Sequence, residues 1–278
     1  MQKQAVTIIG GGIVGCVAAW LAHQAGYTVT LYEQHTLGSG ASGQALGVLT
    51  PSDAQRPLDD LQRQGCAAWP ALIAEISEAS GTEAAQLYRT WPKGAQLNIP
   101  VLFQTFRSLF ERVDIAVIPT PAPDILNTPT LWAAGWGNEQ HLPGLSLRAG
   151  TACRLAACGL TELMVGKGND TQGLYAVPAW DGTVLLGTQN ITLMSPHRGA
   201  PQPEWLAELR TRAGLLFAPL AQAEVLEAWV GNRPTSSPRL PLLRAVSPNQ
   251  WAVAGLGGIG FALAPVVATH WLHELPLE

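Results

Sequence analysis

Charge is scarce in this chain. Lys, Arg, Asp and Glu make up 13% of its 278 residues, while hydrophobic types make up 47%. Disorder needs the opposite balance, so the chain has the means to bury one large α/β core or two small ones. The net charge is −4 and no cluster of Lys or Arg stands out, which argues against nucleic acid as a partner. Cysteine is scarce too. Cys16, Cys66, Cys153 and Cys158 lack zinc-ligand spacing and nothing demands a disulfide, so a reducing cytoplasm is the expected setting. Unbroken apolar runs of membrane length are also missing. Residues 5–22 and 251–269 carry no charge, but glycine clusters interrupt both. Each reads as strand, turn and helix, without membrane insertion and without the basic start of a leader peptide. No internal repeat or low-complexity tract is present.

What is present starts near the N-terminus. Residues 5–9 (AVTII) predict a buried strand, and apolar residues from Ile13 to Ala25 recur at helical spacing until Gly26. Residues 28–33 (TVTLYE) predict a second strand, so the unit is βαβ with a parallel sheet. Residues 38–51 predict a glycine-rich turn, residues 58–80 a helix kinked or broken at Pro70, and residues 97–112 a helix entered through Pro100. Strands follow at 113–118 and 130–136, with a proline-rich loop between. Residues 145–193, punctuated by glycines, predict an antiparallel sheet. A helix at 204–217, a strand at 251–256 and a helix at 262–275 complete the reading. The expected fold is α/β. A Rossmann-like domain with a parallel sheet (1–57, 94–143 and 229–278) joins a smaller antiparallel substrate domain (58–93 and 144–228).

The first turn carries the strongest chemical signal. Gly10, Gly12 and Gly15 have the G-x-G-x-x-G spacing between a strand and a helix. The first glycine permits the turn, the second lets a pyrophosphate approach, and the third lets the helix pack on the strand. The helix N-terminus then offers free N–H groups and partial positive charge. Glu33 follows about twenty residues on, where a carboxylate accepts ribose hydroxyls. Gly10, Gly12, Ile13, Val14, Gly15, Glu33 and Gln34 are thus the expected dinucleotide site, and Glu33 disfavours a 2′-phosphate.

Beyond this unit, the order of segments resembles the D-amino-acid-oxidase-like family of FAD-dependent oxidoreductases, on its glycine-oxidase branch. The resemblance rests on GSGASGQALGVL (38–49), LWAAGW (131–136), GLYAVPAWDGTVLLGT (173–188), EAWVGNRPTSSPRLPLL (227–243) and WAVAGLGGIGFALAP (251–265). It implies FAD as cofactor, lined by Ser42, Gln44, Gly47, Leu49, Gly135, Trp136, Gly257, Gly258, Ile259 and Gly260. It also implies a small amine or amino acid as substrate, oxidised by hydride transfer to flavin N5, with a homo-oligomer as a possible assembly. Such chemistry needs a fixed cation for the substrate carboxylate and stabilisation of the charge that gathers on the reduced flavin. Arg233 matches the family's carboxylate-binding arginine, with a bidentate fork suited to the task. Tyr175 is placed to donate a second hydrogen bond. The six histidines are scattered, and none is assigned a role.

The chain departs from the family pattern in being shorter, by a stretch expected between the helix at 58–80 and the helix near 98. Ala179 stands where an arginine is common, Leu256 where a histidine is, and Arg239 where an acid is. An FAD-binding but catalytically inactive relative with a structural or regulatory role therefore stays open beside the oxidoreductase. An NAD-dependent Rossmann enzyme leaves the C-terminal glycine turn unexplained, and the acidic charge disfavours a tRNA-modifying relative.

Overall fold

The computed structural model describes residues 4–52, 54–123, 126–236 and 242–275. Strand β1 (Ala5–Ile9), helix α1 (Ile13–Gln24) and strand β2 (Thr28–Tyr32) form where the apolar pattern places them. The loop beyond β2 ends in the short β3 (Val48–Leu49) and leads to α2 (Pro57–Ser80). A single-turn α3 (Ala84–Leu87), the hairpin β4 (Tyr88–Trp91) and β5 (Gly94–Leu97), helix α4 (Ile99–Arg112) and strand β6 (Ala116–Ile118) follow. Next come β7 (Thr130–Trp132), β8 (Leu145–Leu155), β9 (Met164–Val165), β10 (Tyr175–Pro178), β11 (Val184–Gly187) and β12 (Ile191–Leu193). The chain closes through α5 (Pro203–Gly214), α6 (Pro219–Gln222), β13 (Val225–Ser236), β14 (Leu242–Ser247), β15 (Gln250–Ala254) and α7 (Gly260–His273).

These elements make a Rossmann-like half and an antiparallel half. One six-stranded sheet has the order β14-β15-β7-β1-β2-β6, parallel except for the β14 edge. The second sheet has the order β12-β8-β11-β10-β9, and β13 runs antiparallel along the whole of β8. A third, of β3-β5-β4, links them. The expected boundary at residue 229 falls inside β13, whose pairing with β8 continues to Ser236. Alternation along strands gives the second sheet two unlike faces. Cys153, Leu155, Leu174, Ala176, Val184 and Leu186 point to one side and pack with Leu209 and Ala213 of α5. The residues between them point to the other side, toward the first sheet.

Three features differ from the sequence reading. Helix α2 runs unbroken through Pro70. A proline in a helix costs about 3 kcal/mol through its missing hydrogen bond and ring clash. Here Pro70 faces solvent, and the opposite stripe of Gly65, Trp69, Leu72, Ile73 and Ile76 is buried. That burial outweighs the loss, since each large side chain contributes about 1.5–3 kcal/mol. Helix α2, expected within the substrate unit, packs on α7 and shares the core of the Rossmann-like half. The hairpin of β4 and β5 went unread because its strands are short and polar, with Pro92 and Lys93 at the turn.

The α2–α7 crossing is close. A Cβ on Gly65 would stand 1.7 Å from the backbone oxygen of Ala262, and the Trp69 Nε1–H donates to the Phe261 carbonyl at 2.8 Å. Gly65→Ala is expected to lower stability by about 1–3 kcal/mol through overpacking against backbone that has no room to yield. An unchanged thermal midpoint would contradict the crossing.

Candidate active site

The turn between β1 and α1 is held from several sides. Gly10 has φ +107°, and its carbonyl lies so near Gly15 that a Cβ there would come within 1.9 Å of it. The Ser42 Oγ accepts the Ile13 amide at 3.0 Å, and the Cys16 thiol donates to the Gly11 carbonyl at 3.4 Å. Burial pushes that thiol well above its usual range and keeps it an inert packing group. Glu33 reaches back across the turn. Its Oε2 accepts the Gly11 amide at 2.8 Å and its Oε1 accepts the His35 amide at 2.9 Å. Each carboxylate oxygen keeps a free lone pair for a ribose hydroxyl.

A cavity of about 1030 Å³ opens from this turn and passes between the two large sheets. It is lined by Gly10, Gly12, Ile13, Val14, Glu33, Gln34, Ser42, Gln44, Gly47, Gly135, Trp136, Gly257, Gly258, Ile259 and Gly260, and by Tyr175 and Arg233. Two expected lining residues are absent from its wall. Gly15 sits behind the turn, where its part is the close approach to Gly10. Leu49 is 1% exposed and belongs to the core, while its neighbours Val48 and Thr50 line the cavity. In a strand, successive side chains alternate, so the two sides of residue 49 face the ligand space and residue 49 does not.

Gln44 ties the loop to the antiparallel half. Its Oε1 accepts the Asn232 amide at 3.1 Å and its carbonyl accepts Trp229 Nε1–H at 2.9 Å. Asn138, unread from the sequence, fixes the turn that carries Gly135 and Trp136. Its buried Nδ2 donates to the carbonyls of Trp132 at 2.7 Å and Val253 at 2.8 Å. At the rim, Asp59 accepts from Arg56 Nε at 2.7 Å and from Ser52 Oγ at 2.6 Å. The Arg56 guanidinium holds the Asp59 carboxyl well below the usual range, with Ser52 assisting. Beside it the Gln62 amide donates to the Thr50 carbonyl at 2.6 Å.

At the far end stands Arg233. Its Nη2 donates to Thr188 Oγ1, and its Nη1 donates to the Gln189 carbonyl and Asn190 Oδ1, both at 3.2 Å. Every one of these acceptors is neutral, and among the described residues no carboxylate pairs with it. Burial pulls its pKa down to about 10, with the Tyr175 phenol opposing. Of the three departures, Ala179 is buried, and Arg89 of β4 lies beside it. Arg89 donates to the Pro178 carbonyl and stacks on Trp180 at 4.0 Å and Trp91 at 4.7 Å. Leu256 lines the cavity, and Arg239 lies outside the described residues. Two of the histidines, His35 and His197, line the cavity as well.

The residues present fit FAD. The cavity is at the upper end of small-molecule sites in size. The first-turn amides of α1 have no acceptor one turn back, and Gly12 leaves the approach bare, since a Cβ there would meet only the Ser42 Oγ at 3.2 Å. Gly12→Ala is therefore expected to keep the fold and lower FAD affinity about tenfold or more. The check is flavin absorbance per protein beside an unchanged circular dichroism spectrum. Full flavin content in this variant would place the diphosphate elsewhere.

The comparisons with known proteins agree with this geometry. Residues 5–98 and 112–272 match the family model described as FAD dependent oxidoreductase. A putative thiamine biosynthesis oxidoreductase ThiO of Rhizobium etli is 26% identical over 323 residues, covering 98% of this chain and 97% of that one. That alignment is longer than the 278 residues here, so the relative carries segments that this chain lacks. In fold, the glycine oxidase of Geobacillus kaustophilus superposes with a TM-score of 0.82 at 19% identity, over 99% of this chain and 96% of that one. The iminodiacetate oxidase of Chelativorans sp. BNC1 does so with a TM-score of 0.79 at 19% identity, over 98% and 96%. Among the described residues no helix is long and apolar enough to cross a membrane. With the family model covering most of its length and a cavity built for a dinucleotide, this chain belongs to the FAD dependent oxidoreductase family, and FAD is its cofactor.

Proposed function

We propose that this enzyme oxidises a small amino acid or secondary amine of the glycine or D-amino-acid type, with Arg233 as the anchor for the substrate carboxylate. One observation carries the reading: a half-buried guanidinium faces the cofactor cavity with only neutral partners among the described residues. A half-buried cation without a counter-ion is partly desolvated at a cost, and a substrate carboxylate would supply that counter-ion by accepting from two parallel N–H donors. The relatives described above as glycine oxidase and iminodiacetate oxidase act on amines that carry carboxylates, which supports this substrate class.

Bound FAD supplies the two-electron acceptor. Arg233 fixes the carboxylate, and Tyr175, on the same face of the sheet, is placed to donate a further hydrogen bond to it. That anchoring leaves the α-carbon toward the centre of the cavity. A hydride would leave the α-carbon as the amine lone pair forms the C=N bond, and the resulting iminium ion would take up water and release the carbonyl product and the protonated amine. An amine that arrives neutral needs no protein base, and this reading assigns none. Gly257, Gly258, Ile259 and Gly260, at the N-terminus of α7, would set N–H groups toward the charge that develops on reduction.

Anaerobic addition of a panel of small amino acids and secondary amines is expected to bleach the flavin band with at least one of them. A yellow protein that no member of the panel bleaches would favour the inactive, FAD-binding relative instead. Arg233→Ala is expected to raise KM about 100-fold or more while FAD stays bound, in line with the loss of a bidentate charged contact. An unchanged KM would remove Arg233 from the substrate site.

A further inference from the structure

Arg233 is not alone on its face of the sheet. Arg148 of β8 is its direct cross-strand partner, and directly opposed residues of an antiparallel pair project to the same side. Alternation gives the same answer. Cys153 and Leu155 of β8 pack with α5, so Arg148, Gly150 and Ala152 face the opposite way, and all three line the cavity. The Arg233 guanidinium leans along the sheet over Gly150, where a Cβ would come within 1.7 Å of its Nη2. Two arginines thus enter one end of the cavity from neighbouring strands.

Among the described residues no carboxylate neutralises them. The other cross-strand partner of Arg148 is Thr192, and its same-face neighbours along β8 are Ser146 and Gly150. Among the described residues no carboxylate or hydrogen-bond acceptor holds the Arg148 side chain. The two carboxylates in the cavity wall are engaged elsewhere, Glu33 with the amides of Gly11 and His35, and Asp59 with Arg56 and Ser52. A third arginine, Arg198, stands exposed at the rim. Its segment is clasped to Asn232, the neighbour of Arg233. His197 N–H donates to Asn232 Oδ1 at 2.8 Å, and Asn232 Nδ2 donates to the His197 carbonyl at 2.9 Å.

Like charges directly opposite on a sheet are destabilising. The arrangement becomes favourable when a ligand brings two negative charges, one for each guanidinium. Resting on the reading of Arg233 above, we infer that Arg148 receives a second acidic group and that the substrate is a small amine bearing two carboxylates. Arg148 then sets specificity, while Arg233 sets orientation.

Calorimetric titration of the FAD-loaded protein with acetate and with malonate, both redox-inert, tests this. Malonate is expected to bind about 10- to 100-fold more tightly than acetate, the worth of one further charge-assisted bidentate contact. Arg148→Met is expected to bring the malonate-to-acetate ratio to near one, with Arg148→Lys in between. Flavin absorbance per protein establishes that each variant is folded. Acetate binding without a malonate preference in the unaltered protein would overturn the second subsite and leave Arg233 in place. A preference that survives Arg148→Met would do the same. Failure of both anions to bind would overturn the reading of Arg233 and this inference together.

Discussion

The approach of the Gly10 carbonyl to the bare Cα of Gly15 determines where the first turn of α1 points. A side chain at residue 15 would collide with the Gly10 backbone just past the end of β1, so the helix axis has this direction only with glycine there. Ser42, Cys16 and Glu33 then brace the turn with a hydroxyl, a thiol and a carboxylate. None of these bonds is large alone, at about 0.5–1.5 kcal/mol net for the neutral ones and about 1.5–3 kcal/mol for the one to the Glu33 carboxylate. Together they remove the freedom the loop would otherwise lose on binding a diphosphate, and preorganisation of that kind is worth more to affinity than added contact.

The second half is positioned by a different device. Strand β13 begins within the antiparallel sheet and ends beside the glycine turn that opens α7, with Thr235 bridged to Leu256. One strand thus carries Arg233 to the cavity and holds the C-terminal turn next to it. Gln44 and Asn232 link the cofactor loop to the same strand. A shift of β13 would move Arg233 and the loop at Gln44 together, so the relation between the proposed substrate anchor and the cofactor loop is built into the backbone rather than left to flexible side chains.

Much of this was legible in the sequence. The βαβ unit, the glycine spacing and Glu33 showed themselves because their spacing is set by backbone sterics, which the local sequence records. Arg233 and Tyr175 were found through resemblance and share the cavity wall, as do Ser42, Gln44 and Gly47. Leu49 was misplaced because a one-residue step along a strand reverses the facing of a side chain, and segment matching does not carry that phase. Helix α2 kept its course through Pro70 because long-range packing on α7 outweighed a local penalty. The pairing of Arg148 with Arg233 joins residues far apart in the chain. Nothing local to either shows it; only the register of β8 on β13 does. Asn138 is of the same kind, since its partners lie on two strands that meet only in the folded sheet.

One cavity runs from Glu33 past the glycine turn of α7 to Arg233, and under the proposed function FAD would lie along it with a substrate carboxylate at the arginine. The most direct measurement is a crystal structure of the purified protein grown with FAD and acetate. The expected result is diphosphate oxygens at the amides that open α1, and the acetate carboxylate bridging both Nη atoms of Arg233 at about 2.7–2.9 Å. Acetate bound away from Arg233, or a dinucleotide lying outside this cavity, would contradict it.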